Sequence, residues 1–489
     1  MGKLTGVLLF MAGGRTVTPT EQNMYPSLER NVSYIRDKLL HTDDLKVRHL
    51  TYRGQSSALI YLESTVDPTL IERNVIRPLR QCGDEDLSQL FFTLRLETEH
   101  KLDKGAQSLL SGNCLFFTQD MVQFYVLTTP AKYDRSITEP ENEGIIRGAH
   151  NGYIEDLTVN LFQIRQQVSS TELKVHYHNI GSTAPRKVAV IYMNNLADPA
   201  VIDKVENRLK SISIDSVMST GFIQEFMEDQ PYSIFPQFLN TERPDHTGSY
   251  LLDGHVVIML EGDPTALIVP MSFFCFYQTP DDYSNRWMIA SFVRFIRLLS
   301  FVTAFQLPAF YIAIVAFHSN ILPIQLFFTV QGSLTRVPYP PLVEAMLLEL
   351  IFELLREAGL RLPSRVGQTI GIVGGLVIGD AIVKAGFVSY TMIIVVALTA
   401  ISSFLIPSNE MSSAIRILRF PLMICASIFG FIGISFGLTI LFIHLCKLES
   451  FGKPYLSPLA PLKIKGFKDT FLRFPIWAIR SRHGEKKHN

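Results

Sequence analysis

Residues 365–387 read RVGQTIGIVGGLVIGDAIVKAGF, and the reading of this stretch decides the fold. Gly371, Gly375 and Gly379 recur every four residues, so on a helix they form one smooth stripe. Small residues at that spacing let another helix approach closely in lipid. The uncharged run 366–379 is 14 residues, short for a lone spanning helix. Asp380 and Lys384 follow at i and i+4. Ionisable groups this near hydrocarbon usually face a bundle interior or a water-filled path. The stretch therefore reads either as a pore-lining helix or as a tightly packed internal helix whose charges snorkel. In the pore reading, Val373 and Val377 stack as apolar collars in a ring of subunits and gate by dewetting.

Around it the sequence is apolar. Residues 298–317, 388–406 and 422–443 are uncharged runs of 20, 19 and 22, each enough to span. With the glycine helix they make four crossings. Residues 341–363, PLVEAMLLELIFELLREAGLRLP, form a helix bounded by proline and glycine. Glu349, Glu353 and Glu357 stack on it at i, i+4 and i+8. Unpaired in lipid they would be costly, and Arg356 offsets only part of that. The helix therefore lies in the membrane plane or faces water inside an assembly. In the second case its carboxylates, with Asp380, are candidate selectivity rings for cations. Arg286, Arg294 and Arg297 precede the first crossing, and residues 447–489 hold ten Lys/Arg against three Asp/Glu. Both termini read as cytosolic, although Arg361, Arg365, Arg416 and Arg419 would then lie outside.

The first half differs in kind. SALIYLES (57–64) reads as a strand, and the following Asp67-Pro68 as a helix start. Ile60-Tyr61 and Asp67-Pro68 recur as Ile191-Tyr192 and Asp198-Pro199, the same offset of 131. Residues 109–130 are echoed by 251–271: a glycine turn, an apolar strand, a polar turn and another strand. The echoes point to a duplicated strand–helix–hairpin unit, or to convergence of two ordinary α/β patterns. The expected architecture is an α/β cytosolic domain of two duplicated subdomains plus an α-helical polytopic membrane domain. Its boundaries are a flexible lead-in 1–45, subdomain one 46–140, a connecting helix and subdomain two 141–285, a membrane domain 286–448 and a basic cytosolic tail 449–489. The segment 139–156 joins the copies and mixes acids with Arg147, a candidate subunit contact or part of an intramolecular clasp.

Chemical signals are few. Formal net charge is zero, with 45 Lys+Arg against 45 Asp+Glu, which argues against general nucleic-acid binding. The five cysteines show no CxxC spacing, and no cofactor or metal site is indicated. Nucleotide-binding, zinc-protease and nucleophile-elbow motifs are missing. His176 and His178 read as surface, and Glu242-Arg243-Pro244-Asp245 as a surface ion-pair turn rather than an acid–base centre. No enzyme is expected.

Six stretches carry a resemblance: EPENEGIIRGAHNGYIEDL (139–157), FPQFLNTERPD (235–245), residues 354–389 around the glycine helix, VVALTAISSFLIP (395–407), RILRFPLMI (416–424) and HLCKLESFGKPYLSP (444–458). In them the chain resembles the A subunit of the GerA-type spore germinant receptors, over about 31–482. The resemblance implies a pentameric, ligand-gated cation channel in the spore inner membrane. It implies a transporter-like B subunit carrying the nutrient site and a C-subunit lipoprotein as partners. Asp380 departs from the neutral polar residue expected in many relatives, so the charge at that end of the pore is not carried over. A secondary transporter would instead need an inverted repeat and broken helices, which the sequence does not display. A membrane-anchored enzyme would need a clustered catalytic constellation, and a signalling scaffold would have no pore of its own.

Overall fold

The structure, a computed structural model, describes residues 22–81, 86–91, 94–119, 121–132, 140, 143–144, 147–335, 337–361, 379–475 and 477. The chain divides into two compact units, 1–133 with 168–176, and 134–167 with 177–489.

In the first unit helix α1 (Leu28–Lys38) precedes strands β1 (Leu45–Tyr52) and β2 (Gln55–Leu62). Then come β3 (Leu96–Glu99), helix α2 (Leu102–Leu110), β4 (Asn113–Thr118) and β5 (Phe124–Thr128). Arg53 and Gly54 turn the β1–β2 hairpin, both at positive φ (49° and 72°). That backbone twist suits two-residue hairpins, and glycine adopts it without a Cβ clash. The sheet order is β1-β2-β4-β5-β3, with antiparallel neighbours. Apolar side chains fill both faces. Ile60, Leu115 and Phe117 meet α1 and α2 on one side. Leu59, Tyr61 and Phe116 meet Ile71, Val75 and Leu79 on the other. A strand buried on two faces has no polar alternation, which is why β2 reads ALIYL.

A second α/β subdomain repeats the order with helix α3 (Leu157–Gln167), β6 (Leu173–Ile180), β7 (Arg186–Met193), α4 (Pro199–Ser211), α5 (Thr220–Met227), β8 (Leu239–Thr241), α6 (Pro244–Leu252), β9 (Val256–Leu260) and β10 (Ala266–Val269). Its sheet runs β6-β7-β9-β10-β8, the topology of the first. Asp67 and Asp198 each cap a helix, accepting backbone N–H groups from Thr69 and Leu70 in one copy and Ala200 in the other. A further echo escaped the sequence reading. The Asn31 amide clasps both backbone groups of Tyr25 (2.7 and 2.8 Å). Asn160 clasps those of Ile154 in the same way, 129 residues on. Each unit therefore opens with its own clasped helix. The expected lead-in 1–45 contains α1, whose Leu28, Val32 and Ile35 are core residues. The expected connecting helix is α3, the corresponding helix of the second copy.

Beyond a short helical turn at Asp281–Ser284, the chain continues with α7 (Trp287–Phe317), α8 (Ile324–Leu334), α9 (Pro341–Arg361), α10 (Gly379–Lys384), α11 (Tyr390–Phe404), α12 (Asn409–Phe429) and α13 (Phe431–Lys447). α7 and α12 are long and apolar enough to cross a membrane. α7 has 31 residues, about 46 Å at ~1.5 Å per residue. It packs on α11, α12, α9 and α13. The run 422–443, expected as one crossing, is divided. Gly430 at φ 61° ends α12 and starts α13, a conformation that L side chains rarely adopt. Ile432, Phe436, Ile440 and Ile443 of α13 are exposed apolar groups, as are Ile324 and Phe328 of α8. Such a surface suits lipid or other subunits.

Residues 449–475, expected as a free basic tail, pack into the second unit. Phe451 enters its hydrophobic core. The Tyr455 hydroxyl donates to Pro236 O (2.7 Å), and Ser450 Oγ donates to Gln237 O (2.9 Å).

Candidate functional site

The central glycine stretch lies mainly outside the described residues. Gly371, Val373, Gly375 and Val377 fall there, while Gly379 and Asp380 open α10. The stretch is bracketed by α9 and α11, so the flanking chemistry is on view.

α9 carries its acids as i, i+4 steps, and α12 carries Arg416 and Arg419 as an i, i+3 pair. The two ladders meet. Glu349 pairs with Arg419, both almost completely buried, and Glu353 pairs with Arg416. One turn earlier, buried Glu344 accepts the backbone N–H of Ser389 at the start of α11. Glu357 stays exposed and holds Arg361 at 2.7 Å. Arg356 lies 5.0 Å over the Phe404 ring. Each of the three carboxylates that would be costly unpaired in lipid thus has an arginine partner. A lone buried charge costs far more than a paired one, and the arginines come from a helix more than sixty residues away. Arg416 and Arg419, which the four-crossing topology would put on the non-cytosolic side, are the partners of Glu353 and Glu349. The pairs are not saturated: Glu349 Oε1, Arg416 Nε, and Arg419 Nε and Nη2 are buried without a hydrogen-bond partner.

A second network sits at the foot of α7. Asp282 accepts from Arg294 Nε (3.1 Å) and Nη2 (3.0 Å), and from Arg297 Nη1 (2.8 Å). Arg294 also reaches Asp469 Oδ1 (3.1 Å), and Arg297 donates to Thr279 Oγ1 (2.9 Å). Asp282 and Arg294 are 1% and 2% exposed, so two of the three arginines read as topology signals, Arg294 and Arg297, are structural anchors. Only Asp282, a dozen residues upstream of Arg294, hinted at this in the sequence.

The 242–245 turn is not a surface feature. The Arg243 side chain is buried, donating to Asp245 Oδ2 (2.7 Å), Glu143 O (3.3 Å) and Ala149 O (2.9 Å). Tyr153 N–H donates to Glu242 O (2.9 Å). Glu143, Ala149 and Tyr153 of the 139–156 segment are therefore tied to the 242–245 turn within the second unit. Arg147 in it is exposed, its backbone N–H donating to Asp281 Oδ1 at 3.4 Å. His178 is half-buried against Glu206 (2.6 Å).

Comparison with known proteins gives one consistent picture. Residues 33–484 match the family described as Bacillus/Clostridium GerA spore germination protein. The uncharacterized membrane protein YfkQ of Bacillus subtilis is 39% identical over 467 residues, 94% of this chain and 91% of that protein. Spore germination protein KA of the same organism is 37% identical over 94% of this chain and 86% of its own length. The crystal structure of the N-terminal domain of the A subunit of the Bacillus megaterium spore germinant receptor GerK3 is 24% identical. It covers 52% of this chain and 98% of its own, at a TM-score of 0.41.

Proposed function

Because the chain belongs to the Bacillus/Clostridium GerA spore germination protein family, we propose that it is the A subunit of a spore germinant receptor, acting as an oligomeric nutrient-gated cation channel of the spore inner membrane. The observation that carries the receptor role is the match over residues 33–484, helices included. In this reading a ring of subunits, a pentamer, encloses the pore. Gly371, Gly375 and Gly379 form the packing stripe, and Val373 and Val377 the gate. A transporter-like B subunit binds the nutrient, a C-subunit lipoprotein completes the receptor, and both termini are cytosolic. Arg147, exposed on the clasped segment, is a candidate ring contact. Purified protein in liposomes should then pass cations, alone or with its B and C partners after nutrient addition. Flux equal to that of empty vesicles under both conditions would reject the channel.

One observation favours a second reading, a membrane scaffold without its own pore. Glu349 and Glu353 are matched by Arg419 and Arg416, which suits a packed bundle better than open carboxylate rings. For Glu349 and Glu353 to select cations, the α9–α12 pairs must separate when the channel opens.

A further inference from the structure

We propose that the cavity beneath the first turn of α12 binds a small organic cation, an amine or guanidinium compound. The proposal stands apart from the receptor role. The cavity is about 430 Å³, within the span typical of small-molecule sites. Its walls come from β8 and the turn into α6, from residues 275–281, from Glu143, and from residues 407–410 at the start of α12.

Donors and acceptors in the wall are unequal in number. Arg243 is the cation at the wall, and its guanidinium is committed to Asp245 and to two backbone carbonyls. Among the described residues, the acceptors are not used up. Glu143 takes one hydroxyl, from Thr241 (2.7 Å), and Glu410 takes one long contact from Gln224 (3.5 Å). Asp281 takes the backbone N–H of Arg147 at 3.4 Å. Asn240 Oδ1 and His246 Nδ1 are buried without a partner. Native interiors rarely leave such atoms unmatched. Burial holds the His246 ring well below its ordinary range, at about 4, so it adds no positive charge. Burial raises the Glu143 carboxyl to about 7, so above that pH the chamber, with spare lone pairs and ionised carboxylate, selects a ligand rich in N–H donors and positively charged. Leu239, Phe276 and Pro407 supply apolar wall beside those groups. An inorganic cation would want a tight shell of oxygens instead, whereas the alkyl stem of an organic cation uses both surfaces. Such a ligand would tie the second α/β subdomain to the first turn of α12 through Glu410.

The test uses the full chain in lipid nanodiscs and agmatine as probe, followed by calorimetry and thermal shift. Agmatine should bind and raise the melting temperature, while 1,4-butanediol, glutarate and calcium chloride should not. Glu410→Gln should weaken agmatine at least tenfold. Asn240→Asp adds a carboxylate to the chamber and should tighten it severalfold, a gain that misfolding cannot imitate. The proposal is overturned if the diol or calcium binds as well as agmatine, if agmatine does not bind at millimolar concentration, or if both variants keep the wild-type affinity.

Discussion

Arg419 and Glu349 are the side chains whose burial most constrains the helical half. Their pair sits where neither charge could survive alone. Glu349→Gln leaves an uncompensated guanidinium and should cost about 3–5 kcal/mol. Replacing both residues by leucine should recover most of it, because a packed apolar pair avoids desolvation altogether. Thermal denaturation of the solubilised chain reads both, and a Glu349→Gln protein as stable as wild type would dissolve the pairing. Glu143 behaves differently. Burial pushes its carboxyl up to about 7 from the ordinary 4.5, partly countered by the Thr241 hydroxyl. The folded state then holds this proton more tightly than the unfolded chain. Stability from this group is greatest below about 4.5 and is lost as pH rises to about 7. Glu143→Gln should flatten that part of the stability–pH curve. Parallel curves for the two proteins would show that Glu143 is not buried as described.

The elements carry the gating question. Val373 and Val377 lie outside the described residues, in the stretch between α9 and α11 that the sequence reads as a glycine-striped helix, and narrow apolar collars block ions by dewetting. Val373→Ala should loosen the closed state and give ion leak, or germination with less nutrient. Protein abundance must be followed in parallel, and an unchanged response in both Val373→Ala and Val377→Ala would place the gate elsewhere. How far the elements were legible follows from the range of the interactions that make them. β2, β7 and the two aspartate caps were readable, because a strand buried on both faces and an Asp-Pro helix start are local patterns. α1 lies within what the sequence reads as a flexible lead-in. The clasp by Asn31 that fixes it is a side-chain-to-backbone contact with no periodic signature. The split at Gly430 was hidden by uniform apolarity on both sides. The Glu349–Arg419 and Glu353–Arg416 pairs were out of reach for a different reason: each ladder was visible, but its partner lay on a helix 63 to 70 residues distant.

At the scale of the molecule, the helical part leaves the second α/β unit and returns to it. The chain departs at α7, and residues 449–475 come back to bury Phe451 and Tyr455. The two passages are joined by the Asp282–Arg294–Asp469 network. A movement of α7 is thereby tied to the α/β unit at a buried, hydrogen-bonded point rather than through a free linker. The network is unequal. Asp282 serves two arginines, whereas Asp469 shares Arg294 with it and also accepts the Tyr283 hydroxyl (2.8 Å). Asp469→Asn keeps a neutral acceptor and leaves Arg294 paired with Asp282. Asp282→Asn leaves Arg297 with only neutral acceptors and Arg294 with Asp469 alone. The second variant should therefore be the more damaging, by about 3–5 kcal/mol against a milder loss for the first. Limited proteolysis gives a readout that global stability does not. Asp469→Asn should expose cleavage within 449–475 while the first unit stays resistant, and Asp282→Asn should open both this segment and the foot of α7. Equal proteolysis patterns in the two variants and wild type would mean that the returning segment is held by Phe451 and Tyr455 alone.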